Sequence, residues 1–290
     1  MKQVISMDIG GTNMRIALVD ELYRINKVMR FTTIVGDKTA FLNQVASIIG
    51  ALQVNMDDVS AISIGVPGRV DDEGFITTLP NIKIKEIPLA SFLTKKYQKP
   101  VFVKNDAAVA ALAEANLGVG KHFKRTYFIT ISTGIGGALV VNHQLQYSND
   151  EIGHTLFPYK NGYYELEQIA SGTGIINLCA LNNLPVQASS LFFSLVNSGN
   201  IQAQAIFNDW LDLMSAFLNL VQHQFEPDII AIAGGVMKSK DIFLEKLTTR
   251  VKGGNLRPAE FGDDAGLMGA TSLAFQFLSV NNKTPQGVTS

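Results

Sequence analysis

A chain of 290 residues with 47% apolar and 17% charged side chains can bury one large core or two moderate ones. Its 24 basic and 25 acidic residues leave a net charge of −1, and no Lys/Arg block stands out, which excludes an electrostatic nucleic-acid surface. A single cysteine, Cys179, rules out an internal disulfide and a cysteine-rich metal knuckle, and no apolar stretch reaches the ~18 uncharged residues of a membrane span.

The chain enters an apolar run at once, without a charged-then-apolar leader, so a cytoplasmic protein is expected. Residues 4–18 run from one apolar stretch through Asp8-Ile9-Gly10-Gly11-Thr12 into another. This predicts a β-hairpin whose glycines allow close backbone approach and positive φ. A helix follows, with Asp37 as N-cap and Phe41, Val45, Ile48, Ile49 and Leu52 on one face. Val59 to Val66 is a buried strand ending at Pro67-Gly68. A second strand, Val101-Phe102-Val103, runs into Lys104-Asn105-Asp106, and residues 107–117 form an alanine-rich helix stopped by Gly118-Val119-Gly120.

The second half opens on its own hairpin, residues 128–141, turning at Thr133-Gly134-Ile135-Gly136-Gly137, and then becomes helical. In the apolar run 175–179, Cys179 reads as a buried, inert thiol. Ile206, Trp210, Leu213, Met214, Phe217 and Val221 mark one face of a long helix that Pro227 ends. A strand over 228–233 reaches Gly234-Gly235, and Asp263-Asp264-Ala265-Gly266 precedes a final helix over about 267–278. A polar tail, 279–290, is expected to fray. The order indicates an α/β protein with two similar lobes around a cleft. Residues 1–107 make a smaller N-terminal lobe, with the last helix packing back on it, and 108–266 a larger one.

Backbone N–H groups and threonine hydroxyls at such turns form a concavity for phosphate oxygens. Neither turn is Gly-x-Gly-x-x-Gly opening a helix, and neither has the Gly-Lys-Ser/Thr ending of a P-loop. Two such hairpins suggest a duplicated fold that grips a polyphosphate. Asp106, where a buried strand gives way to a helix, is placed either to take a proton from a substrate hydroxyl or to cap the helix. Glu151-Ile152-Gly153-His154, followed by Glu165 and Glu167, offers partners for sugar hydroxyls. With His122, His143 and His223 scattered, the alternative is a lone satisfied His154 rather than a metal cluster. Arg69 is either a ligand of the same kind or a solvated turn residue.

In this order the motifs resemble the ROK family of bacterial sugar kinases and repressors, within the hexokinase/actin-like superfamily, over residues 4–277. Asp8 to Thr12 is similar to the family's first phosphate motif, Thr133 to Gly137 to its second, and Ala233-Gly234-Gly235-Val236 to its adenosine element. Gly65-Val66-Pro67-Gly68, Asn105-Asp106-Ala107, Glu151-x-Gly153-His154 and Glu167 are similar to its sugar-site elements. The resemblance implies an actin-like (ribonuclease H-like) ATPase fold, ATP and Mg²⁺ as cofactors, a homodimer, and phosphoryl transfer to the 6-hydroxyl of a hexose. Asp106 would be the base and Asp8 would hold Mg²⁺ through water. Gly10, Gly11, Thr12, Thr133, Gly134, Gly136, Gly137, Gly234 and Gly235 would bind ATP. Gly68, Arg69, Asn105, Asp106, Glu151, His154 and Glu167 would bind the sugar.

One departure matters. Most family members carry a cysteine cluster between that His and that Glu, which with the His holds a structural zinc. Here residues 155–166 are shorter and cysteine-free, which implies no structural zinc and a His154 left to serve the sugar alone. Loss of the cluster resembles the β-glucoside kinases, whose acceptors include cellobiose, and Tyr159, Tyr163 and Tyr164 could stack on a second sugar ring. Glucokinase and N-acetylmannosamine kinase activities are the alternatives on the same fold. A sugar-sensing repressor would carry a helix-turn-helix region ahead of the first hairpin, and here that hairpin opens at Val4.

Overall fold

The computed structural model describes residues 2–146 and 151–281. It divides into two compact units, one built from the chain up to Asn116 together with the chain from Asp263 onward, the other from Leu117–Gly262. No helix among the described residues is long and apolar enough to cross a membrane.

The first unit begins with β1 (Gln3–Ile9), β2 (Asn13–Asp20) and β3 (Ile25–Thr32), followed by α1 (Lys38–Ala51) and β4 (Val59–Val66). Next come β5 (Arg69–Val70), β6 (Ile76–Leu79) and β7 (Ile84–Ile87), which form a small antiparallel sheet. Then follow α2 (Leu89–Tyr97), β8 (Val101–Asn105) and α3 (Asp106–Asn116). The main sheet has the order β3-β2-β1-β4-β8, with a hairpin and its antiparallel neighbour on one side and two parallel strands on the other. Strand alternation sends Ile5, Met7 and Ile9 into a core with Phe41 and Val45 of α1 and Leu93 of α2. Asp37 caps α1 as expected, its carboxylate accepting the Ala40 N–H at 2.9 Å.

The second unit repeats that plan. β9 (Arg125–Ile131), β10 (Ile135–Val141) and β11 (Gln144–Leu145) are followed by β12 (Leu156–Tyr159) and β13 (Gly162–Glu165). Helices α4 (Leu166–Ala170), α5 (Gly172–Leu181), α6 (Ser189–Asn197) and α7 (Ile201–Phe225) lead to β14 (Ile229–Ala233), α8 (Lys240–Arg250) and β15 (Leu256–Pro258). The sheet order β11-β10-β9-β14-β15 again sets a hairpin beside two parallel strands. Trp210 anchors the core, ringed by Phe193, Phe207 and Phe243, with its indole N–H donated to the Ala170 carbonyl at 2.9 Å. Cys179 is buried in that core, and burial pushes its thiol up to about 11.

The chain closes with α9 (Ala265–Asn281) on the first unit's sheet. Leu267 and Ala274 pack with Val4, Val19 and Ala61, and the Ser6 and Thr271 hydroxyls share a buried 2.7 Å hydrogen bond. A Cβ at Gly269 would lie 1.6 Å from the Val109 carbonyl oxygen, so glycine lets α9 approach α3 closely.

Four expectations are revised. The units divide after Asn116 rather than after Ala107, because α3 packs along α9. Helix α9 runs to Asn281, so residues 279–281 are helical; the rest of the expected tail lies outside the described residues. The segment 155–166, for which no strand was expected, forms a β-hairpin that turns at Lys160-Asn161, with Lys160 at a φ of +51°. Of the motif glycines only Gly234 has a left-handed-region φ, +100°, whereas Gly10, Gly11, Gly134, Gly136 and Gly137 do not. At Gly10, Gly11, Gly134 and Gly137 the need for glycine is close approach.

Candidate functional site

In the first unit the β1–β2 turn is pinned from behind. The Gly10 N–H donates to the Asn13 carbonyl, and Thr33 donates through its hydroxyl to Gly10 O and through its N–H to Thr12 O, each at 2.8 Å. A Cβ on Gly11 would press the Asn81 Cβ at 3.0 Å. Thr12 is exposed at the tip, so the turn presents its hydroxyl outward.

Strand alternation puts Asp8 on the same face as Val4 and Ser6, at the N-terminus of α9. A Cβ on Gly266 would sit 2.4 Å from the Asp8 carboxyl carbon, so this glycine makes room for the carboxylate. Asp8 pairs in register with Arg15, whose guanidinium donates to the Asp263 carbonyl and the Asp264 carboxylate. Burial raises the Asp8 pKa, Arg15 opposes that rise and Asp263 adds to it. Arg15 was missed by sequence reasoning; the two-residue strand period that sets it opposite Asp8 was the available signal.

Asn105 and Asp106 stand at the β8–α3 junction. Asn105 Oδ1 accepts the N–H groups of Ala107 at 2.9 Å and Ala108 at 3.3 Å, while its amide donates to the Gly68 carbonyl at 3.1 Å. Asn105 therefore caps α3, and the carboxylate of Asp106 accepts only the adjacent Ala107 N–H, at 2.9 Å, among these amides. Desolvation by the surrounding protein pushes Asp106 up to about 6, the Ala107 N–H opposes the shift, and the charge on Asp8 adds to it. The Asp106 side chain keeps an exposed face, so water screens part of this effect. At Gly68 a Cβ would lie 2.1 Å from the Thr78 carbonyl oxygen, which fixes glycine beside the exposed Arg69.

In the second unit three segments meet at Ser132, just before the β9–β10 turn. Its carbonyl accepts the Gly172 N–H at 2.7 Å, its hydroxyl accepts the Gly235 N–H at 3.1 Å, and its N–H donates to Gly134 O at 2.9 Å. Ser171, the N-cap of α5, donates its hydroxyl to Thr133 O at 2.8 Å. A Cβ on Gly234 would lie 2.4 Å from the Ile131 carbonyl oxygen. The expected phosphate and adenosine elements, Thr133 to Gly137 and Gly234-Gly235, are thus neighbours, and Ser132 is the tie that sequence reasoning missed. Gly136 and Gly137 lie within β10, paired with Thr130 and Ile129, rather than in the turn.

Glu167 reaches into the same turn, its Oε2 accepting the Ile135 N–H at 3.3 Å. A Cβ on Gly134 would lie 2.6 Å from that oxygen, and one on Gly153 would lie 2.3 Å from Ile135 O, so both glycines permit the approach. Beside it His154 donates from Nε2 to Glu151 Oε2 and from Nδ1 to Glu165 Oε2, each at 2.9 Å, with Glu167 Oε1 at 4.0 Å. Burial disfavours the charged ring, but the Glu165 hydrogen bond and the charges of Glu167, Glu165 and Glu151 outweigh it, and the pKa is raised. His154 is therefore not left to serve a sugar alone, because both ring nitrogens are engaged by carboxylates. The ligand atoms of His154, Glu165 and Glu167 lie within 4.8 Å of one another, and at 2.9 Å the ring–carboxylate contacts are at hydrogen-bond distance.

The β12–β13 hairpin has two faces. Phe157, Tyr159 and Tyr164 pack on the helical core, and Tyr159 is tied by its hydroxyl to Asp209 at 2.8 Å and to Asn182 at 2.6 Å. Burial, with Asp209 beside it, pushes Tyr159 up to about 12. The other face carries Leu156, 62% exposed, and Tyr163, 75% exposed, in line with Glu165. Of the three tyrosines expected to meet a second sugar, only Tyr163 is presented outward.

The family model described as ROK matches residues 4–276. A glucokinase of Halalkalibacterium halodurans is 29% identical over 317 aligned residues that cover 94% of each chain. The structure of a ROK hexokinase from Thermus thermophilus is 25% identical with a TM-score of 0.79, covering 96% of this chain and 99% of that one. A ROK family glucokinase from Streptomyces griseus in complex with glucose and AMPPNP is 25% identical with a TM-score of 0.74, covering 94% and 99%. The chain belongs to the ROK family and has the α/β fold of the actin-like ATPases.

Proposed function

We propose that this chain transfers the γ-phosphoryl group of ATP to the 6-hydroxyl of a hexose unit, with β-glucosides such as cellobiose as preferred acceptors. That it is an ATP-dependent carbohydrate kinase, acting on a small sugar, follows from its family and relatives. The finer reading rests on one observation above others. Asn105 does the capping at the head of α3, accepting two of its first N–H groups, and this supports a role for Asp106 beyond helix termination.

Phosphoryl transfer is chiefly positioning and charge stabilisation, because its transition state is loose. In this reading Asp106 orients the 6-hydroxyl and accepts its proton as the new bond forms; a carboxylate with a raised pKa is suited to that exchange. The backbone at Gly10, Gly11 and Thr12, and at Thr133, Gly134, Gly136 and Gly137, cradles the phosphates, with the Gly10 N–H itself held by the Asn13 carbonyl. Gly234 and Gly235 admit the adenosine. Gly68, Arg69, Asn105, Glu151, His154 and Glu167 hydrogen-bond the sugar. Mg²⁺ fits the first unit: Asp8 is an oxygen donor in a space Gly266 leaves open, and the Asp8–Asp106 repulsion is what a divalent cation relieves. Asp8 would hold it through water, and it would supply charge neutralisation on the phosphates.

The support for a β-glucoside is the short, cysteine-free 155–166 hairpin and the outward Tyr163 in line with Glu165. Glucokinase or N-acetylmannosamine kinase activity is the alternative on the same machinery. The same proposal includes a cytoplasmic homodimer without structural zinc. An ADP-release assay over cellobiose, glucose and N-acetylmannosamine tests it, and a clear preference for either monosaccharide would overturn the β-glucoside reading.

A further inference from the structure

We infer that Glu165 is a positioning residue for sugar binding: through His154 it fixes the carboxylate of Glu151. The inference rests on the reading that Glu151 and Glu167 are among the sugar's hydrogen-bond partners in this unit.

Glu165 is itself firmly placed. It ends β13 in register with Leu156, and the Gln168 side chain accepts its backbone N–H at 3.2 Å. Its carboxylate meets His154 Nδ1 at 2.9 Å. His154 rides on the short turn Ile152–His154 with nearly half its side chain exposed, so packing alone does not set its ring angle. The second ring nitrogen then meets Glu151 at 2.9 Å and leaves Glu167 at 4.0 Å. The result is a carboxylate–imidazole–carboxylate chain anchored at the Glu165 end. Among the described residues the charged groups facing the ring are Glu151, Glu165 and Glu167, all acidic, so a protonated ring offsets like charges that would otherwise separate. Charge-assisted bonds of this kind also fix geometry better than neutral ones.

The ring's raised pKa gives the arrangement a pH sense. The imidazolium is present below the ordinary histidine range and is lost as pH rises through the raised folded-state value. Sugar KM should therefore rise on the alkaline side, and at lower pH once Glu165 is removed.

The test compares wild type with Glu165→Ala and the near-isosteric Glu165→Gln. In each, sugar KM, ATP KM and kcat are measured, and His154 is titrated by NMR without nucleotide. Losing one charge-assisted hydrogen bond should raise sugar KM roughly tenfold in Glu165→Ala. ATP KM and kcat should stay within about twofold, since the loss is of ground-state positioning. The His154 midpoint should fall in both variants, with Glu165→Gln between wild type and Glu165→Ala. An unmoved midpoint, or an unchanged sugar KM in folded Glu165→Ala, overturns the inference even if the chain proves a β-glucoside kinase. Stoichiometric divalent metal at His154 overturns it as well. If wild type phosphorylates no sugar, the sugar-site reading fails and this inference falls with it, which is a separate result from an unmoved midpoint.

Discussion

Asn105 and Asp106, adjacent in the chain, divide the head of α3 between two duties. The Asn105 side chain accepts the Ala107 and Ala108 N–H groups and holds Gly68, whereas the Asp106 carboxylate accepts only the adjacent Ala107 N–H among these amides and has a raised pKa. Substitution should separate the two. Asp106→Asn should lower turnover about 10²–10⁴-fold with little change in thermal unfolding, as expected for loss of a general base. Asn105→Ala should instead destabilise the fold by about 1 kcal/mol through the lost cap, on top of any effect on sugar KM. Near-wild-type turnover in a folded Asp106→Asn variant would show that Asp106 is not the base.

The raised pKa of Asp106 fixes the direction of a pH dependence. Its folded value of about 6 lies above the ordinary 3.8, so between those values the folded protein binds the proton more tightly than the unfolded chain. The base form is then depleted below about 6, and kcat/KM should fall on the acid side with a midpoint near that value. Asp8 is coupled to the same titration, so the midpoint belongs to the pair. A rate that stays flat down to pH 4.5 would contradict the assignment.

Two glycines of α9 should respond differently to an added methyl group. At Gly269 the methyl carbon would meet the Val109 carbonyl at 1.6 Å, and backbone cannot swing aside. Gly269→Ala should cost about 1–3 kcal/mol or more in denaturant unfolding, with α3 forced from α9. At Gly266 the obstacle is the Asp8 carboxylate, a side chain that can rotate. Gly266→Ala should keep most stability and lose activity as Asp8 is displaced. Equal stability losses at the two sites would contradict this distinction.

Much of this was legible in the chain. The Asp37 cap, the long amphipathic helix around Trp210, and both Gly/Thr hairpins follow from period and turn chemistry, and the structure places them accordingly. What escaped was set by partners distant in sequence. Arg15 acquires meaning only when α9 returns and brings Asp263 and Asp264 to it, 248 and 249 residues away. Ser132 looked like one more turn residue until Gly172 and Gly235 converged on it. The role of Glu165 needed the β12–β13 pairing, which sets it opposite Leu156 and beside His154. The reason for the turn glycines also differed, since close approach of Asn81 and Glu167 requires them and φ does not.

Activity should depend on Mg²⁺, with Mn²⁺ able to replace it, because carboxylate and water oxygens suit either ion. The purified protein should carry no stoichiometric zinc: residues 155–166 supply no thiolate, and both His154 nitrogens are taken by carboxylates. Elemental analysis finding one zinc per chain would reverse the second statement. Full turnover after exhaustive removal of divalent ions would reverse the first and remove the role assigned to Asp8.

Acceptor choice should turn on Tyr163. Tyr159 is fixed by Asp209 and Asn182, and Tyr164 packs on the helical core, so neither ring is presented to a second sugar. Tyr163 projects from the opposite face of the β12–β13 hairpin, beside Pro158 and in line with Leu156 and Glu165. An exposed tyrosine offers an apolar ring to the C–H face of a pyranose and a hydroxyl at its rim. A substituent at C1 can use that surface, whereas free glucose cannot reach beyond the groups that bind its own hydroxyls. Tyr163→Ala should therefore raise KM for cellobiose roughly tenfold, a loss on the scale of one aromatic contact. KM for glucose should be unchanged, as should kcat for both, since the contact holds the remote ring equally in ground and transition states. Parallel kinetics on cellobiose and glucose decide the matter. A Tyr163→Ala variant that weakens both acceptors alike, or neither, would show that this ring only covers the hairpin, and the specificity would have to be sought elsewhere in the chain.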